Sequence, residues 1–331
     1  MDTVLVTGGA GYAGSLLVRR LLSEGYRVVA ADALAFGGES LLDVWHYPQF
    51  AFHKCDITDF SAVETVLRAY DLRAVVHLAA IVGDPACKRD PELAYRTNWD
   101  GSVHLVEACL NRRIPRFIFA STCSNYGKMA DGALYVTEDS PLAPVSLYAE
   151  LKVKVETLIL NELPRSAAFC PTSLRFATIY GLSPRMRFDL TVNEFTKDLA
   201  LGKELLVFGE QFWRPYCHVE DFGRAVVAVL QAEASKVAYN VFNVGDTGEN
   251  YTKKMVLEEI LRLIPHGRVK YVQQAEDPRD YRVDFAKIAK VLDFRISRRV
   301  PDGIAEVKQI VESGIIRDPE DQRYYNTPHR A

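Results

Sequence analysis

Apolar residues in the first half of the chain fall into two alternating patterns. Short continuous runs at 3–6, 27–31, 50–53, 74–78, 116–120 and 173–176 read as strands covered on both faces. Between them, near 12–24, 60–70, 91–110 and 145–162, apolar residues recur at helical spacing. This βαβ rhythm predicts an α/β fold built on a doubly wound parallel sheet with right-handed crossovers. After Gly181 the rhythm breaks. Val192, Phe195 and Leu199 mark a helix, 205–208 and 239–244 read as strands, and 219–233, 252–263, 284–291 and 302–313 read as helices. The expected organisation is a nucleotide-binding domain over 1–181, rejoined by 213–246, with a smaller interleaved substrate lobe from 182–212 and 247–331. The polar tail at 317–331 is expected to be partly disordered.

Composition narrows the setting. The chain has 331 residues, 48% hydrophobic and 25% charged, as in ordinary globular proteins. A net charge of -3 gives no reason to expect nucleic acid as a partner. No apolar run approaches the roughly 18 residues of a membrane span. No basic n-region with a small-residue cleavage site precedes the first strand, so no signal peptide is expected. The six cysteines form no CxxC pair, which predicts neither a metal site nor disulfides and suits reduced thiols in the cytoplasm.

The most informative stretch is Thr7-Gly8-Gly9-Ala10-Gly11-Tyr12-Ala13-Gly14, between the first strand and the first helix. In that context Gly8 permits a tight turn, Gly11 lets backbone approach a pyrophosphate, and Gly14 allows close helix packing, the features of a Rossmann dinucleotide site. Backbone N–H groups around Tyr12 and Ala13 at the helix start suit phosphate. Asp32 closes the second strand, where a carboxylate accepts from both adenosine ribose hydroxyls and repels a 2′-phosphate, so the expected cofactor is NAD.

Tyr148 and Lys152 are spaced i, i+4 on one helix face. A tyrosine near its ordinary pKa of about 10 is a poor base, and a lysine one turn away stabilises the phenolate. Such a pair can exchange a proton with a substrate hydroxyl while a nicotinamide exchanges a hydride.

Together these stretches resemble the extended short-chain dehydrogenase/reductase family, and in particular its sugar-nucleotide epimerase/dehydratase branch. Cys55-Asp56-Ile57 is similar to the adenine-side motif and His77-Leu78-Ala79-Ala80 to the fourth-strand segment beside the cofactor. Asn98 matches a structural asparagine. Ser121-Thr122-Cys123-Ser124-Asn125-Tyr126-Gly127 resembles the segment that carries the catalytic Ser or Thr, which implies that role for Thr122. Ser173 to Gly181 and Trp213 to Asp221 match two further stretches. The resemblance implies cofactor contacts at Gly8, Gly11, Tyr12, Ala13, Asp32, Asp56, Ile57, Leu78, Ala79, Ala80, Asn98, Tyr148 and Lys152. It implies substrate contacts at Thr122, Cys123, Ser124, Thr178, Asn193, Arg214 and Arg279, with Arg214 on the diphosphate. Arg282 is a further phosphate candidate.

Departures from the family pattern bear on the reaction. Sugar-nucleotide 4,6-dehydratases carry Asp-Glu directly after the catalytic threonine, and the related decarboxylases carry a glutamate there. This chain has Cys123-Ser124, which supply no carboxyl group. The resemblance then implies a 4-epimerase of the UDP-galactose type, with retained NAD and a transient keto-sugar. Val82, Thr178 and Gln274 stand where that type carries a lysine, an asparagine and an arginine, so the sugar nucleotide is left open. A 4-ketoreductase and a non-catalytic NAD-binding sensor are the alternatives. The family's pairing through helices 91–110 and 145–162 implies a homodimer, for which Val103, Leu151 and Val155 are the expected exposed apolar residues.

Overall fold

A computed structural model describes residues 1–128, 135–273 and 279–326. In chain order its elements are β1 (Thr3–Thr7), α1 (Tyr12–Ser23), β2 (Arg27–Asp32), β3 (Phe50–Lys54), α2 (Phe60–Arg68), β4 (Ala74–His77), α3 (Asp84–Arg89), α4 (Pro91–Tyr95), α5 (Ser102–Asn111), β5 (Arg116–Thr122), α6 (Leu147–Thr157) and β6 (Cys170–Phe176). There follow β7 (Thr178–Tyr180), α7 (Thr191–Ala200), β8 (Glu204–Phe208), β9 (Trp213–His218), α8 (Val219–Gln231), α9 (Ala234–Val237), β10 (Asn240–Val244), β11 (Asn250–Thr252), α10 (Lys253–Leu263), β12 (Arg268–Val272), α11 (Ala286–Leu292) and α12 (Val300–Glu312).

The chain divides into two compact units. The first comprises Met1–Thr122, Ser146–Arg175 and Gly223–Phe242, the second Cys123–Val145, Phe176–Phe222 and Asn243–Ala331. The first is built on a seven-stranded parallel sheet of order β10-β6-β5-β4-β1-β2-β3, the doubly wound Rossmann arrangement expected. Its central strands have no polar face: β1 is buried throughout, as are Val28, Val29 and Ala30 of β2 and Val75 and Val76 of β4. One core cluster joins Leu5, Val29 and Val75 to Val66 of α2, Leu105 of α5 and Val155 of α6. The second unit carries a three-stranded sheet β11-β9-β7 and a parallel pair β12-β8. Its core packs Val192, Phe195 and Leu199 of α7 with Ile260 of α10 and Ile304 of α12. No helix among the described residues is long and apolar enough to cross a membrane.

Several expectations are corrected. The helix expected over 91–110 is interrupted by a π-helical turn, Arg96–Gly101, and α6 runs into another, Leu158–Glu162. Leu151 and Val155 are buried within the chain, Leu151 against Cys87 and Ala94, and Val103 is half-buried. Leu151 and Val155 belong to the core and not to an exposed face. Residues 317–326 of the tail are held in place. Tyr325 is buried, its hydroxyl receives a hydrogen bond from the Lys197 ammonium at 2.9 Å, and Phe188 N–H donates to the Tyr324 carbonyl at 2.9 Å. Residues 327–331 lie outside the described residues.

Candidate active site

The glycine turn follows β1 because the strand must reverse into α1 within four residues. Gly8 has φ +73°, a conformation that side chains rarely adopt, and a Cβ there would lie 2.8 Å from Ala79 N. Its N–H donates to the Ala31 carbonyl at 2.8 Å. A Cβ on Gly14 would stand 2.0 Å from the Gly8 carbonyl oxygen, so the close approach that requires this glycine is to the turn itself. Gly11 differs. A Cβ there would meet a single protein atom, the Gly8 oxygen at 3.3 Å, and otherwise point into space. Gly11 is also the N-cap of α1 and provides no side-chain cap. An uncapped helix start beside a cradle that a methyl group would fill fits a dinucleotide diphosphate.

Asp32 ends β2 with both carboxylate oxygens oriented by backbone. Oδ2 accepts from Ala10 N at 3.0 Å and Oδ1 from Leu34 N at 2.8 Å. The Ser40 hydroxyl donates to the Ala10 carbonyl at 2.7 Å, and Arg19 ties Ser40 and Asp43 to α1. The exposed Asp56 caps its own turn through Thr58 N at 2.9 Å, while Ile57 is buried against Gly101.

Leu78, Ala79 and Ala80 are half-buried directly after β4. Leu78 N and Ala79 N both donate to Thr7 Oγ1, at 3.2 and 3.3 Å. With its acceptor capacity engaged, Thr7 donates its hydrogen to His77 Nδ1, 2.7 Å away. His77 must therefore carry its proton on Nε2, donated to Ser102 Oγ at 2.9 Å, and Ser102 donates to the Asn98 carbonyl at 2.9 Å. Burial, then the charge of Lys152, drive the His77 pKa down to about 3, so the ring is neutral. The Asn98 amide clamps Ile81 at both backbone groups, receiving N–H at 2.7 Å and donating to the carbonyl at 2.9 Å. Asn98 lies in the π-helical turn after α4, whose wider backbone marks many functional positions. His77 and Ser102 were given no role by sequence reasoning. The polar His77 within an otherwise apolar strand was the available signal.

Ser146 caps α6 through Ala149 N at 3.4 Å and is itself held by Asp84 at 2.6 Å. This fixes the first turn, which carries Tyr148, half-buried, and places Lys152 one turn on. Lys152 is 5% exposed, donates to the Ala120 carbonyl at 2.7 Å, and lies 4.6 Å from the Phe119 ring centroid and 5.9 Å from that of Tyr148. Burial pulls its pKa down to about 8. Thr122 ends β5 in the same unit, buried.

The second unit holds the other expected substrate residues. Cys123 and Ser124 open a 3-10 turn, Cys123–Tyr126, with the Cys123 thiol buried. Thr178 starts β7, half-buried and registered with Tyr216. Arg214 on β9 donates from Nη1 to the Trp213 carbonyl at 2.6 Å and lies 5.5 Å from the Tyr281 ring centroid. Burial raises the Tyr281 pKa, and Arg279 lies near enough for its charge to oppose that rise slightly. Arg282 stacks between Trp213 and Tyr135, 5.0 and 4.7 Å from their centroids. Asn193 is fully buried. Its amide accepts from Gly181 N at 2.9 Å and donates to the Gly181 and Arg187 carbonyls at 3.2 and 2.9 Å, which ties the loop after β7 to α7. Gln274 lies outside the described residues.

Comparison with known proteins gives consistent matches. The profile of the NAD dependent epimerase/dehydratase family matches residues 4–245. The chain is 30% identical over 270 residues to UDP-glucose 4-epimerase from Lactobacillus helveticus, covering 77% of this chain and 79% of that protein. It is 31% identical over 316 residues to dTDP-glucose 4,6-dehydratase from Streptomyces niveus, covering 92% and 90%. Among solved structures it superposes on UDP-glucuronic acid 4-epimerase from Bacillus cereus, bound to UDP-glucuronic acid and NAD, with a TM-score of 0.82 and 25% identity over 94% of this chain and 99% of that one.

Proposed function

We propose, from the premise that the chain belongs to the NAD dependent epimerase/dehydratase family, that it is a nucleotide-sugar epimerase inverting C4 through a transient keto-sugar. It is an NAD-dependent enzyme of the extended short-chain dehydrogenase type. The observation that carries the reading is the pairing of an intact Tyr148/Lys152 helix turn with a Thr122 followed by Cys123-Ser124 in place of carboxylates. Both epimerases and dehydratases are similar to this chain at about the same identity, so overall likeness does not choose between them.

NAD, when bound, supplies the acceptor for the sugar's hydride and its later donor. The chain's own residues do the rest. The glycine turn holds the diphosphate and Asp32 the adenosine ribose. The Tyr148 phenol oxygen takes the proton of the sugar hydroxyl as that carbon is oxidised and returns it when the carbon is reduced from the other face. Lys152, cationic below about 8, stabilises negative charge on that oxygen. Thr122 donates a hydrogen bond to the reacting oxygen. Cys123 and Ser124 provide no carboxylic acid and base, so water is retained on the sugar. Arg214 and Arg279 are assigned to the substrate diphosphate, where a guanidinium fork matches paired phosphate oxygens. Relatives named for UDP-glucose and UDP-glucuronate favour a UDP-hexose or hexuronate.

The same reading includes a cytoplasmic location, in keeping with six free buried cysteines, and a homodimer for which Leu93 and Tyr95, both exposed on α4, are the apolar candidates. Light scattering at micromolar concentration tests the dimer, and a monomer refutes it.

Incubation with a panel of UDP-sugars, read by NMR, tests the reaction. The expected result is interconversion of C4 epimers with no net change in NAD or NADH and with NAD copurifying. Stoichiometric oxidation of NADH on a 4-keto nucleotide sugar, with no epimer formed, overturns the reading in favour of a ketoreductase.

A further inference from the structure

Tyr281 lies in a stretch that sequence reasoning singled out for its arginines. Its ring is buried, and its hydroxyl donates to Ser124 Oγ at 3.5 Å. The Arg214 guanidinium lies over the ring, 5.5 Å from the centroid. The Tyr281 N–H and Arg214 Nη1 share the Trp213 carbonyl, at 3.4 and 2.6 Å. Trp213 is fixed in turn, with its N–H on Asp280 Oδ1 at 2.9 Å and Arg282 stacked on its ring. One side chain thus touches both the residue assigned to the diphosphate and the residue two places beyond Thr122.

Burial raises the Tyr281 pKa, and the opposing pull of Arg214 and Arg279 does not reverse that, so the phenol is a protonated donor at neutral pH. By giving its hydrogen to Ser124, it turns that hydroxyl into a donor toward its other neighbours. A guanidinium recognises paired phosphate oxygens only when its plane is fixed, and an aromatic face under the charge is one way to fix it.

We propose that Tyr281 is a positioning residue, setting the plane of the Arg214 guanidinium and the direction of the Ser124 hydroxyl so that the diphosphate and sugar contacts stay in register. This rests on the reading that Arg214 meets the diphosphate. The test is calorimetric binding of UDP and of UDP-glucose to the NAD-loaded enzyme, with NAD content as the check on folding. Tyr281→Phe keeps the ring and removes the donor. UDP affinity is expected to stay within about twofold while UDP-glucose affinity falls about threefold to tenfold. Adding Ser124→Ala to that variant is expected to cost UDP-glucose little more, because the two groups act together. Tyr281→Leu removes the ring and is expected to weaken UDP itself about tenfold.

A wild type that takes up no UDP, or an Arg214→Ala variant that binds it equally well, removes the diphosphate reading beneath the proposal. Weakened UDP in Arg214→Ala with none in Tyr281→Leu, or fully additive Tyr281→Phe and Ser124→Ala losses, overturns the proposal alone. Should Tyr281→Leu lose its NAD and fold, the near-isosteric Tyr281→Phe cycle decides.

Discussion

Gly11→Ala separates holding the fold from holding the cofactor. Gly11 has φ -75° and ψ -179°, which alanine adopts without strain. The added methyl would meet the Gly8 oxygen at 3.3 Å, a contact relieved by a shift of a few tenths of an ångström. Alanine is a weaker N-cap than glycine but costs the unfolded chain entropy, and the two effects oppose each other within about 1 kcal/mol. The apo variant should therefore melt close to the wild type. The same methyl occupies the cradle at the start of α1. Forcing a methyl into a filled site costs about 1–3 kcal/mol, or roughly fivefold to 150-fold in NAD affinity. Gly14→Ala is the contrasting case, since its Cβ would fall 2.0 Å from the Gly8 oxygen and the turn itself must open. That variant should lose stability as apoprotein and NAD with it. The assay is thermal melting of NAD-stripped protein with calorimetric NAD titration, because bound ligand would mask an apo difference. Wild-type NAD affinity in Gly11→Ala, or a melting loss equal to that of Gly14→Ala, would refute the assignment of the cradle.

Five further outcomes are expected. Tyr148→Phe should reduce turnover by at least about a hundredfold and leave NAD bound, as removal of a general base does; wild-type turnover would end the proposed proton transfer. The rate should fall as pH rises through about 8, where Lys152 loses its charge, and Lys152→Arg should move that limb upward. The same shift has a stability counterpart. The folded pKa lies below that of the unfolded chain, so the penalty for burying the cation is fully present below about 8. It is relieved as pH rises toward 10.5, which chemical denaturation of Lys152→Met, expected to lack this rise, would show. Asp32→Ala should weaken NAD and narrow its preference over NADP, read by titration with both, while also freeing the Ala10 and Leu34 N–H groups. Arg175→Met should destabilise by about 3–5 kcal/mol in denaturant unfolding, because it strands Glu156, a carboxylate 3% exposed that Arg175 Nε bonds at 3.0 Å; Arg175→Met with Glu156→Leu should recover most of that loss.

The sheet was legible because its strands are buried on both faces. Val4-Leu5-Val6 and Val28 to Ala31 stand out as uninterrupted apolar runs, and loops of glycine and aspartate bound them. In the second unit β8 was read at 205–208, but β7, β9, β11 and β12 were not. β7 and β11 have three residues each, β9 contains Pro215, and the largely exposed β12 is too short and polar to be told from a loop. The π-helical turn at Arg96–Gly101 was likewise hidden, since one extra residue per turn barely alters helical spacing over six positions. Leu151 and Val155 show the limit of an apolar pattern. It identifies residues that avoid water, but whether the covering surface is the chain's own core or another molecule depends on contacts far along the sequence, here Cys87 and Ala94 for Leu151.

For the candidate site the dividing line is chemical. Residues whose role follows from local backbone, such as Gly8 at φ +73° or the i, i+4 pair Tyr148 and Lys152, announce themselves within a few positions. Residues whose role is set by a distant partner do not. Asn193, expected as a substrate contact, has its amide bonded to Gly181 and Arg187 backbone, partners that its own position does not reveal. Tyr281 acquires meaning through Ser124, 157 residues away in the chain. His77 is the intermediate case, since its segment was recognised but not its work. A neutral imidazole between Thr7 and Ser102 can hold only one tautomer, because Thr7 Oγ1 already accepts from two amides and has only its hydrogen left to offer. That fixed direction runs on through Ser102 to the Asn98 carbonyl, while the Asn98 amide clamps Ile81. The turn beside Gly8 and the segment after β4 are therefore held by one ordered chain of hydrogen bonds, and a His77→Phe change should loosen both at once where a change at either end loosens one.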